Sequence, residues 1–235
     1  MEENEKRLKR IRQGFDLRAE GFDPLIKKLA PQYRVMLEAL CLSLPFSEER
    51  AIKVVDLGCG TGTVDALLKK RYPDSEIICV DFSSRMISAA KKKLAGEKGI
   101  SFKLCNVCDF IFQGPFDAVV SSLCLHHLYP GSVKEEFFEK VYKSLSEQGV
   151  FYIFDVVKGT SGYLQGLYQE RWREFLNRSF SAEEVDRTFK KAEAEDRPFT
   201  LIQELEWLKE AGFSNLEVIC KSYSGAVYGG QKITA

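Results

Sequence analysis

The sequence predicts an α/β protein: a Rossmann-like, doubly wound sheet, mostly parallel with its last strand antiparallel, carrying a helical cap. Three observations predict it. Short runs rich in Val, Ile and Phe recur between residues 53 and 156, long enough for buried strands and too short for helices. Stretches of helical periodicity separate them, and such alternation puts parallel strands beneath helices on both faces. A glycine-rich turn, Gly58-Cys59-Gly60-Thr61-Gly62, follows the first run, at the sheet edge where this architecture binds cofactors.

In chain order, the first 50 residues read as helices over about 5–18 and 25–44, forming either a lid or a dimer contact. Buried strands follow at 53–57 (KVVDL), 76–81 (EIICVD), 100–104 (ISFKL), 116–121 (FDAVVS) and 149–156 (GVFYIFDV). Helices are expected at 62–71, at 83–94 with Ser83 as N-cap, and at 132–146 with Ser132 as cap and Glu135 completing a capping box. Beyond Asp155 aromatic and charged residues fall at helical spacing without a strand, so 159–195 reads as a helical insertion. A helix at 200–211 ends at Gly212, and 215–221 and 223–228 alternate like a closing antiparallel pair. Neither an internal repeat nor a low-complexity linker interrupts the chain. The organisation expected is one domain over 1–235: an N-terminal helical lid (1–50), a cofactor-binding core (51–158), a helical cap insertion (159–211) and closing strands (212–235).

Composition bounds the function. At 235 residues the chain is long enough to bury a substantial core. Its 34 basic and 34 acidic residues cancel, so no global positive field steers it to nucleic acid or anionic lipid. The first twelve residues are highly charged and no apolar run reaches the roughly 18 residues needed to span a bilayer. Seven cysteines, odd in number and set in apolar segments, suit buried thiols in a reducing, cytoplasmic compartment. Cys105 and Cys108 make a C-x-x-C without a second ligand pair, and His126 and His127 are adjacent, so no metal site is expected.

The turn itself discriminates between cofactors. A dinucleotide loop seats pyrophosphate against the helix N-terminus and wants a glycine where this chain has Thr63. Asp56, just before the turn, would repel a phosphate and attract an ammonium group, which favours the sulfonium cofactor S-adenosyl-L-methionine.

From residue 54 to about 156 the chain resembles the class I S-adenosylmethionine-dependent methyltransferases. Asp81, in Cys79-Val80-Asp81-Phe82-Ser83, stands where that family places an acid on the two ribose hydroxyls. Asn106 and Val107, in Leu104-Cys105-Asn106-Val107-Cys108-Asp109, stand where it reads the adenine edge, with Asn in place of the commoner Asp. The run Phe116 to Leu128 resembles the motif that walls the methionine side, with Ser122 nearest the cofactor. The resemblance thus implies Asp56, Gly58, Cys59, Gly60, Gly62, Asp81, Phe82, Asn106, Val107 and Ser122 as cofactor-binding residues.

Outside the core, Pro31-Gln32-Tyr33-Arg34 and Trp207 to Phe213 resemble the branch holding the wobble-uridine tRNA carboxymethyl-transferring enzyme and small-molecule methyltransferases. That implies Tyr33 as a further cofactor contact. The branch holds the extra carboxylate of carboxy-S-adenosylmethionine with a cap arginine, where this chain offers Phe189, Lys190 or Lys191; a lysine lacks the bidentate fork. Residues 168–210 carry eight basic against eleven acidic side chains, which counts against tRNA. Tyr163, Tyr168, Trp172, Phe175, Phe180 and Phe189 offer aromatic area for a pocket over the methyl group, although the stripe Tyr168, Trp172, Phe175 is more often packing against the sheet than a substrate box. The function expected is methyl transfer to a small-molecule acceptor under the helical cap, leaving S-adenosyl-L-homocysteine, in a monomer or homodimer. His126 or His127 would serve as base for a hydroxyl acceptor. The competing readings are a tRNA wobble-uridine (carboxy)methyltransferase using carboxy-S-adenosylmethionine and a cofactor-binding module without turnover.

Overall fold

The computed structural model describes residues 2–233. Three helices open the chain: α1 (Glu2–Arg18), α2 (Phe22–Leu29) and α3 (Tyr33–Leu42). The expected second helix is thus divided, because Pro31 cannot continue it and Gln32 turns the backbone left-handed at φ 55°. The core then alternates β1 (Lys53–Leu57), α4 (Thr63–Arg71), β2 (Glu76–Asp81), α5 (Ser84–Lys93), β3 (Ile100–Leu104), β4 (Phe116–Ser122), α6 (Gly131–Ser144) and β5 (Leu145–Val156). The insertion is α7 (Gly162–Leu176) and α8 (Ala182–Glu195), and α9 (Leu201–Glu210), β6 (Ser214–Ser222) and β7 (Gly225–Gln231) close the chain. Among the described residues no helix is long and apolar enough to cross a membrane.

One seven-stranded sheet runs β3-β2-β1-β4-β5-β7-β6. The first five strands pair in parallel, and β7 enters antiparallel between β5 and β6. Period-two alternation divides the core: Val54, Ala118 and Val120 face α3 and α4, while Val55, Val119 and Ile153 face α6 and α9. Between α6 and α9 the wholly buried Lys134 donates to Glu204, an ion pair that residue spacing alone does not reveal.

Ser83 caps α5 as expected, accepting from Met86 N, and Thr200 and Gln203 form a capping box on α9. Two expectations need correction. α6 begins at Gly131 with Pro130 as its N-cap and no side-chain cap bond, so Ser132 lies inside the helix; its start is pressed against α9, where Gly131 abuts the Trp207 ring. β3 is not a buried strand but the sheet's edge, with Leu104 59% exposed.

Candidate functional site

At the carboxyl ends of β1, β2 and β4 the chain leaves a cavity in which the centres of water-sized molecules can occupy about 90 Å³. The loop after β1 forms its floor, tied to β2 by the Gly58 and Cys59 amides, which donate to Val80 O at 2.8 and 3.0 Å. Gly60, at φ 54°, is the position where a missing side chain matters most to a ligand. A Cβ there would touch no protein atom within 4 Å and would stand in open cavity space. Bare backbone therefore faces whatever binds. Gly62 does different work: a Cβ there would lie 2.8 Å from Leu94 Cδ1, so it lets α4 start close against α5 and does not line the cavity.

Asp81, at the tip of β2, lines the cavity and is 7% exposed. Its Oδ2 accepts from Gly60 N at 2.9 Å and its Oδ1 from Ser83 N at 2.8 Å. Each oxygen keeps a lone pair for a further donor, the arrangement two vicinal hydroxyls require. Burial pushes this carboxyl up to about 6, with the two amides opposing. Asn106 accepts from Cys108 N at 3.0 Å, which turns the chain at Val107–Asp109 and leaves the amide nitrogen of Asn106 to act as a donor. Tyr33, Cys59, Phe82, Val107 and Ser122 also line the cavity. Burial pushes the Tyr33 phenol up to about 12.

Three expected site residues are not at the wall. Asp56 shares with Val54 the face that α4 covers; its carboxyl is wholly buried, unpartnered by hydrogen bonds and set against Asp65. Burial and that neighbouring carboxylate raise Asp56 well above the usual range, and burial brings Asp65 up to about 6. Gly62 is the second. The third, His126, is turned to Asp155, which accepts from its backbone N at 2.7 Å and from its ring Nδ1. His127 does line the cavity, its ring centroid 6.2 Å from that of Phe15.

The roof corrects a larger expectation. Leu8 and Phe15 of α1 and Phe22 and Ile26 of α2 close the cavity, whereas no residue of 159–211 lines it. The insertion lies outside these helices and braces them. Trp172 Nε1 donates to Leu29 O at 2.8 Å, and its ring packs at 4.5 Å on Phe189, over which Arg173 lies. Tyr163 is 79% exposed. The aromatic stripe of α7 is half-buried: Trp172 packs on α2 and α8, and Tyr168 meets Tyr223 beside β6.

Polar latches hold the roof down, and sequence reading missed all of them. Thr61 in the glycine loop donates to Asp23 at 2.5 Å, and Lys93 pairs with Asp23 at 2.7 Å while donating to Thr61 and Thr63. Ser83 donates to Asp16 at 2.6 Å. Arg7, nearly buried, donates to Glu195 O at 2.5 Å and His127 O at 2.7 Å. Partners 30 to 188 residues apart leave no local signal.

Comparisons with known proteins agree with this geometry. Residues 54–149 match the family described as Methyltransferase domain. The chain is 29% identical to the carboxy-S-adenosyl-L-methionine synthase of Campylobacter hominis over 89% of this chain and 90% of that protein. It is 26% identical to that of Nautilia profundicola over 86% of each. Among solved structures, a Haloferax volcanii methyltransferase in complex with its activator superposes with TM-score 0.67 at 15% identity, covering 94% of this chain and 98% of that one. Human N-acetylserotonin methyltransferase with bound S-adenosylmethionine gives 0.60 at 16%, covering 86% and 53%. Sheet order, glycine loop and relatives converge on a methyltransferase domain over residues 54–149 that uses S-adenosyl-L-methionine as its cofactor.

Proposed function

We propose that the enzyme methylates a small, uncharged or cationic acceptor enclosed between the strand ends and the two N-terminal helices. The observation that carries this is the lining: it includes no arginine or lysine, and Asp81 is its one carboxylate. An acidic acceptor, or the extra carboxylate of carboxy-S-adenosylmethionine, would meet no fixed cation there. The residues aligned with the branch's carboxylate-holding arginine point the same way. Phe189 packs on Trp172, Lys190 is exposed, and Lys191 pairs with Glu195 at 3.6 Å; none lines the cavity.

S-adenosyl-L-methionine supplies, when bound, a methyl group on a sulfonium sulfur, activated for in-line displacement. The protein's part is to hold and enclose. Asp81 would accept the two ribose hydroxyls, Asn106 and Val107 would flank the base, and bare backbone at Gly60 would admit close approach. Leu8, Phe15, Phe22 and Ile26 exclude water from above. Aligning an acceptor with the donor in such an enclosure supplies several kcal/mol without acid or base. His126 is committed to Asp155 through Nδ1, and His127 lines the cavity with its own Nδ1 buried and without a hydrogen-bond partner.

One observation favours a second reading, in which the enzyme makes or uses carboxy-S-adenosylmethionine: relatives named as its synthase match along about 90% of their length. Mass spectrometry of the nucleoside that copurifies, followed by an acceptor screen read as S-adenosylhomocysteine release, separates the two. Release with neutral or amine acceptors supports the first reading; a bound nucleoside heavier by one carboxylate, or turnover with tRNA alone, overturns it.

A further inference from the structure

Behind the cavity wall, three side chains from opposite ends of the fold meet. His126 and His127 sit in the single 3-10 turn after β4, and Asp196 follows the last residue of α8. One oxygen of Asp196, Oδ1, lies 3.7 Å from His126 Nε2 and 3.6 Å from His127 Nδ1. Both separations are too long for hydrogen bonds. They are what two ligand atoms keep when each is about 2.1 Å from a shared ion. The Nδ1 of His127 is buried and has no hydrogen-bond partner, and one ligand atom from each of the three side chains lies within 4.8 Å of the others.

The surroundings are built as for a metal ligand set. Asp155, wholly buried in β5, accepts from His126 Nδ1 and from the His126 amide, so it fixes the ring with Nε2 toward Asp196. A carboxylate behind a ligating imidazole is the usual outer-shell partner of such sites. Arg197 N donates to His126 O at 3.0 Å, which holds the segment bearing Asp196 against the histidine turn. The carboxylates of Asp155 and Asp196 would balance a dication. Of the cations near the cluster, Arg7 is bound to the carbonyls of Glu195 and His127, Lys191 is paired with Glu195, Lys134 with Glu204, and Arg197 donates to the carbonyls of Glu193 and Asp196.

We propose that His126, His127 and Asp196 bind one divalent transition-metal ion of the zinc or iron(II) class, with Asp155 as the positioning residue of His126. The donor set, two imidazoles and one carboxylate, suits those ions over magnesium or calcium. Such an ion would join the helical insertion to the core beside the cavity, and it stands or falls independently of which acceptor is methylated.

The test uses the full-length protein stripped with a chelator and titrated with Co2+ and Zn2+. One equivalent of Co2+ should bring ligand-field absorption in the visible and a higher melting temperature, and X-ray absorption should show nitrogen and oxygen neighbours only. His127→Ala and Asp196→Asn should each weaken binding by about 100-fold or more, and Asp155→Asn by about 10- to 100-fold. Asp65→Asn should leave it unchanged, since the other cluster that could hold an ion, Cys59, Asp65 and Cys79, lies beneath the glycine loop. Sulfur neighbours, absence of Co2+ uptake by the folded wild type, or full affinity in folded Asp196→Asn would each overturn the site.

Discussion

The floor and the roof of the cavity are made in opposite ways. The floor is backbone and short side chains at the ends of adjacent parallel strands, its loop pinned by amides on Val80 O and on Asp81. The roof is two helices from the first 30 residues, held by apolar contacts and by latches at Asp16 and Asp23 and braced from behind by an insertion more than 130 residues later. A floor fixed by sheet hydrogen bonds cannot move without unfolding; a roof held by partly exposed polar latches can open at small cost. This difference suits an enzyme that must enclose its reactants and then release them.

The contrast can be broken hardest at the floor. Asp81→Ala removes the acceptor of two hydroxyl donors and unties Gly60 and Ser83, so calorimetry should show S-adenosylhomocysteine affinity falling at least about 100-fold, near 3 kcal/mol.

Beneath the floor the expected effect is on stability rather than binding. The raised carboxyl of Asp65 gives stability that is fully present below the ordinary carboxylate range and lost as pH rises through about 6. Asp65→Asn removes that loss and offers Asp56 a donor. Chemical denaturation at pH 8 should therefore show a gain on the order of 2 kcal/mol, which should vanish near pH 4, with cofactor affinity unchanged.

Acid should sharpen the same distinction more gently. Asp81 titrates near 6 in the free protein, and its protonated form accepts hydroxyl donors poorly. Cofactor affinity should be flat above pH 7 and fall about tenfold by pH 5 in the wild type, with no such fall in Asp81→Asn.

The smallest effect belongs to the roof. Asp23→Ala breaks the contacts to Thr61 and Lys93; with Asp23 and Lys93 both partly exposed, it should cost less than about 1 kcal/mol of stability while speeding cofactor dissociation several-fold in stopped flow.

Much of the floor was legible because its signals are local. Period-two apolar runs marked β1, β2 and β4, Ser83 announced the start of α5, and the glycine spacing with Asp81 pointed to the edge where the cavity lies. Local chemistry also misled where a neighbour outbid it. Ser132 looked like a cap until α9 pressed on Gly131, and Asp56 looked like a cofactor contact until strand alternation turned it toward Asp65. The aromatic stripe of α7 announced a packed face, but periodicity carries no information about what a face packs against; here it is half-buried, with Trp172 on α2 and α8 and Tyr168 on Tyr223.

By itself the sequence determined the sheet, the order of its elements, the glycine loop and the cofactor class, because each depends on residues within a turn or one strand of each other. The tertiary structure alone decided that the N-terminal helices and not the insertion roof the cavity, that Lys134 meets Glu204, and that Asp196 reaches His126 and His127 across about 70 residues. Such contacts are set by how packed layers meet, and the free energy that fixes them is collective burial, which no single pair of residues announces in advance.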